Sequence, residues 1–114
     1  MTTALRAAPG QVRLDDGTPL STCLRRARSD ADLQQVGRVF TAAADGLALQ
    51  ASRSDTAALR LGYLIAAARR GARTSNGVAA ELLRRLESAP GLDGPPAAHR
   101  PAFDRGMVAG ERDG

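Results

Sequence analysis

Between Leu20 and Glu87 the apolar residues of this chain recur at every third or fourth position, the repeat that lines one side of an α-helix. The pattern falls into four stretches. A short helix is predicted from about 20 to 28, begun by Pro19 or Ser21. A second follows over about 31–50, with Leu33, Val36, Phe40, Ala44, Leu47 and Ala51 in one stripe and Gln34, Arg38 and Asp45 on the opposite side. Ser29 or Asp30 supplies its N-cap, and Gly46 is a weak point where it is expected to end or bend. The third helix spans about 55–72, capped by Ser54 and Asp55. Arg69 and Arg70 suit the negative end of its dipole, and Gly71 follows them. Thr74 or Ser75 caps the fourth, about 76–88, where Val78, Ala79, Leu82, Leu83 and Leu86 share a face and Glu81 and Arg85 form an i,i+4 pair.

The flanks read differently. Residues 1–19 form an extended arm, in which Val12, Arg13 and Leu14 make a short extended piece and Asp15 to Pro19 a turn, with Gly17 at the position that tolerates positive φ. Past Glu87 the apolar repeat collapses. Residues 90–114 contain four prolines and five glycines, and 89–114 are predicted to be a disordered tail. The expected fold is all-α: a small bundle of three to four short helices over 20–88, with an N-terminal arm and a disordered C-terminal tail.

The third helix departs from a simple amphipathic pattern, because it is apolar on two sides. Ala57, Leu61, Leu64, Ile65, Ala68 and Ala72 make one face; Leu59, Tyr63 and Ala66 make a second stripe roughly opposite, continued by Arg70. A peripheral helix needs only one such stripe. Either this helix is central, wrapped by helices two and four and by the arm, or the second stripe is exposed and docks a partner. Leu59, Tyr63, Ala66 and Arg70 are therefore the candidate partner-binding residues, since Tyr and Arg are favoured anchors. Gly62, Ala66, Ala67 and Gly37 are small enough to let helices approach closely.

Composition sharpens this picture in one direction. All sixteen basic residues are arginine and none is lysine, a bias that a GC-rich coding sequence also produces. Arginine nevertheless forks onto carboxylates and phosphates. Residues 1–88 hold thirteen arginines against eight acids, and the tail is slightly acidic. Arg69, Arg70 and Arg73 crowd the turn before the fourth helix, whose free N–H groups and Ser75 lie beside them. Together with Arg60 these make a candidate anion or nucleic-acid site. A helix-turn-helix over 60–86 is not supported, because its inward positions fall on Gly77 and Ala80.

Catalytic chemistry finds little to use. His99 is the only histidine and lies in the Pro-rich tail; Cys23 is the only cysteine and reads as a buried, inert thiol. No Cys/His set can build a zinc site, and no lysine exists for a phosphate-binding loop. Asp15 and Asp16 read as turn residues, Asp30 and Asp32 as helix-start carboxylates. No cofactor, metal or small-molecule substrate is inferred, no run of residues is long and apolar enough for a membrane span, and the expected location is cytoplasmic. The function expected is that of a non-catalytic helical interaction subunit that self-associates or packs within a larger complex. The alternative is a basic module contacting nucleic-acid phosphates without regard to sequence, as a subunit of a ribonucleoprotein assembly would.

Overall fold

Two serine side chains set the frame of the molecule. Ser29 Oγ accepts the Asp32 amide at 3.1 Å and Ser54 Oγ accepts the Ala57 amide at 3.2 Å, each satisfying a donor that the first turn of a helix leaves free. They start the two longest helices, α2 (Asp30–Ala51) and α3 (Asp55–Ala72). Before them comes α1 (Leu20–Arg26), and after them α4 (Ala80–Glu87) and α5 (Arg100–Asp113). The computed structural model describes residues 1, 3–8, 10–14, 17–27, 29–73, 80–87 and 98–114.

Helix α3 is the axis of the fold. Every residue from Leu61 to Ala68 is buried, because α1, α2, α4 and α5 all pack on it. Its first apolar face meets α1, α2 and α4 through Leu61, Leu64 and Ile65, with Phe40, Leu47 and Leu86 on the opposing elements. Helix α1 comes in close at Gly71, where a Cβ would stand 2.7 Å from the Ser21 carbonyl oxygen and 2.9 Å from Leu24 Cβ.

Four of the five helices fall where the sequence pattern placed them; of the alternatives at their starts, Pro19 precedes α1 without a side-chain cap bond and Ser29 caps α2, while Ser54 caps α3. Thr74, Ser75 and the expected first turn of the fourth helix lie outside the described residues. Gly46 neither ends nor interrupts α2, which continues to Ala51. The N-terminal arm holds one short 3-10 turn at Ala4–Ala7 and an isolated bridge between Arg13 and Pro19, with Gly17 at φ 82° in the turn between them. Leu5 and Val12 anchor the arm in the core.

The tail is the correction. Residues 89–114 were expected to be disordered, yet Arg100–Asp113 form a helix, and that helix makes the most extensive packing on α3 in the molecule. Pro101 is compatible with this, since proline is well tolerated in the first turn. The glycines that argued against a helix are its packing surface. A Cβ on Gly106 would collide with the Leu59 carbonyl oxygen, one on Gly110 with that of Tyr63, and one on Gly62 of α3 with that of Phe103. With no side chain at the crossing, the two backbones come into direct contact. The intrinsic cost of glycine in a helix is about 1 kcal/mol per residue, and tertiary packing overrides it here.

Candidate functional site

The described residues among those singled out for partner docking and anion binding lie on α3 or at its end, and α5 governs most of them. Tyr63 and Ala66 are fully buried and Leu59 is half-buried. The second stripe of α3 is thus occupied within the chain, by a helix that the sequence pattern did not reveal. Tyr63 does more than fill space. Its Oη accepts the Val12 amide at 3.1 Å, tying the N-terminal arm to the central helix through a buried hydrogen bond. Burial pushes the phenol above its ordinary pKa, partly opposed by that bond, with the nearby Asp113 carboxylate adding to the rise.

The predicted arginine cluster is divided. Arg70 Nη1 donates to the Arg112 carbonyl oxygen at 2.7 Å, at a helix end where carbonyls lack intrahelical donors. Arg73 ion-pairs with Glu111. Both guanidinium groups therefore fasten the C-terminal end of α5 to that of α3. Arg69 is exposed, and Arg60 is half-buried with its Nε lacking a hydrogen-bond partner. Ser75 lies outside the described residues. At the other end of the pair, His99 Nδ1 lies 2.7 Å from Asp55 Oδ1. His99 precedes α5 and Asp55 opens α3, so the only histidine is a link between two helix starts. The Ser21 amide also donates to the Gly114 carbonyl oxygen at 2.8 Å, joining α1 to the same end of α5.

A surface that sequence reasoning passed over lies on α2. No residue from Ala31 to Val39 is buried; Phe40 is the first core residue of the helix. Grooves run along both sides of this half. One, of about 410 Å³, lies against α1 and the arm, with Met1, Leu14, Cys23, Val36 and Val39 on its walls. The other, of about 660 Å³, lies against α4 between Leu33, Arg38, Leu82 and Arg85. Cys23 is half-buried at the edge of the first groove rather than enclosed in the core as expected.

The outermost strip of α2 consists of Ala31, Gln35, Val39, Ala42, Gly46 and Leu49, all exposed and none charged. Val39 is 45% and Leu49 76% exposed, two of the three large apolar side chains so placed among the described residues. The charged residues stand to either side, Arg38 and Asp45 along one edge and Asp32 on the other. The signal was present in the sequence: these apolar and small residues recur at helical intervals on the side opposite the core stripe. It was masked because the polar neighbours Gln34, Arg38 and Asp45 made that side look like an ordinary solvated face.

Among the described residues no three His, Cys, Asp or Glu side chains come together as metal ligands, and no helix is long and apolar enough to cross a membrane. No protein-family profile, curated protein or solved structure matches this chain.

Proposed function

We propose that this protein is a small non-catalytic helical module that docks a partner protein through the outer face of α2. The observation that carries the reading is the uncharged strip from Ala31 to Leu49, exposed along a helix whose first half has no full cover from the rest of the fold. On a small domain with a leucine- and alanine-rich core, an apolar helix face left in water is a docking surface more readily than a structural one. A phosphate-binding role has less to stand on, since Arg70 and Arg73 already hold α5.

The test is the hydrodynamic size of the chain in extracts of the cells that make it, followed by an antibody or a small epitope tag. The chain should migrate well above its 11.9 kDa mass. The paired change Val39→Glu and Leu49→Glu should return it to the monomer position with its helical circular dichroism intact. Migration as a monomer before any substitution, or a complex indifferent to the pair, overturns the reading.

A further inference from the structure

We infer that the occupant of the α2 face is a second copy of the same chain, packed antiparallel on the first about a two-fold axis beside Phe40 and Thr41. The inference rests on the reading of α2 as a docking face and names what covers it.

The spacing along the strip points to a helix pair. Gln35, Val39, Ala42, Gly46 and Leu49 follow one another at intervals of four, three, four and three, the alternation that keeps one seam facing a partner helix. Turned antiparallel about that axis, Val39 of one copy meets Ala42 of the other, and Gln35 meets Gly46. Val39 and Gln35 are each set against a small residue, and a Cβ added at Gly46 meets no side chain or other element within 4 Å in its own chain. Asp32 falls opposite Leu49 at the two ends of the seam, both of them exposed in the single chain. The helix has 22 residues and is about 33 Å long, a substantial part of a molecule 40 Å in its longest dimension.

Charge decides the direction. Arg38 and Asp45 lie on the same edge of the strip, two helical turns apart and of opposite sign. Neither has an ion-pair partner among the described residues. In the antiparallel arrangement Arg38 of each copy comes beside Asp45 of the other, and the two-fold axis makes the contact twice. In a parallel pair the same positions would face Ala43 and Gln50, neither of them charged. The edge is thus self-complementary in one orientation only, and it is a second copy of this chain that matches it.

The experiment is sedimentation velocity on the purified full chain, with a charge reversal on each side and the exchange of both. The wild type should sediment as a dimer at tens of micromolar. R38D alone and D45R alone each replace two attractive contacts by two repulsive ones and should raise the dimer dissociation constant at least ~10-fold. The double variant R38D/D45R restores opposite signs across the axis and should recover most of the dimer, a rescue that mere damage to the fold cannot produce. A monomeric wild type overturns the inference, and so does a dimer unmoved by the single reversals or unrescued by the exchange. Should the purified chain be monomeric while the Val39/Leu49 pair still dissolves a complex in cell extract, the docking face stands and its occupant is a different protein.

Discussion

Helices α5 and α2 invert the usual relation between sequence pattern and packing. Helix α5 reads as a poor helix, with a proline in its first turn and glycines at 106 and 110, yet it is pressed backbone to backbone against α3. Helix α2 has a clear apolar stripe and a good cap, yet its first half is loosely covered and its outer side bare. The contrast teaches that small residues are a packing surface in their own right. At α5 they are covered by a carbonyl row, and at α2, around Ala42 and Gly46, they are open.

The largest test of that contrast is removal of residues 98–114. It uncovers Tyr63 and Ala66, takes away Phe103, and deletes the partners of Arg70, Arg73 and Asp55. Burial of one Phe side chain alone is worth about 1.5–3 kcal/mol. At roughly 4–8 °C per kcal/mol for a domain of this size, the melting temperature should fall by more than ~10 °C. A truncated chain that melts like the whole one would show that α5 contributes nothing.

Glycine-to-alanine changes sharpen the comparison by a difference of sign. Gly106→Ala gains about 1 kcal/mol of helix propensity but drives a methyl into the Leu59 carbonyl, and overpacking of this kind costs about 1–3 kcal/mol, occasionally more. Because the obstacle is backbone, the net effect should be destabilising by about 2 kcal/mol in a urea titration. Gly46→Ala meets nothing and should stabilise by about 0.5–1 kcal/mol. Two effects of the same sign would remove the distinction between the closed and open regions.

Tyr63 tests how firmly the closed region holds the N-terminal arm. Tyr63→Phe leaves the Val12 amide buried without an acceptor, at a cost of about 1–3 kcal/mol. The phenol also has a pH signature. Its pKa is raised in the folded state, so above about pH 10 the unfolded chain gives up a proton that the folded chain keeps. Its share of stability is therefore complete below that pH and declines as pH rises through the folded value. As Tyr63 is the only tyrosine, its ultraviolet ionisation band follows the titration directly, and the Phe variant should lose this component of alkaline unfolding. Ionisation near pH 10 in the intact fold would mean that water reaches the phenol.

The smallest effect belongs to the surface. Arg73→Gln breaks the pair with Glu111, but the arginine side chain is 60% exposed, and the change should cost less than ~1 kcal/mol. A larger loss would mean that the end of α5 is held mainly by charge and not by close packing.

The helices that the sequence made legible are those with large apolar residues and serine caps. Leu33, Phe40 and Leu47 on α2, and Leu61 and Leu64 on α3, carry the helical period openly. The second stripe of α3 was visible too, as Leu59, Tyr63 and Ala66, and Gly62 beside it stood out as small enough for close approach. What the stripe faced was not visible, because large-residue periodicity is a poor detector of helices that meet through glycine. The signal for α5 is the recurrence of Ala102, Gly106 and Gly110 every four residues, complementary to Gly62 and Ala66. It is recognisable only when the two segments are considered together. The partners of the arginines were hidden for the same reason: with no helix expected after residue 89, Arg70 and Arg73 had no visible carbonyl or carboxylate to reach.

The close seating of α5 on α3 also has a consequence in time. Synthesis of α3 is complete at Ala72, but the helix that seals its second stripe is not complete until Asp113. At translation rates of about 5–20 residues per second, that leaves an interval of roughly 2–8 s in which Tyr63 and its neighbours have been made and their cover has not. During that interval the apolar side chains of the stripe have no cover from their own chain, because the helix that packs on them does not yet exist. The native packing of α3 is therefore completed by the last helix to be made, not by its neighbours in sequence.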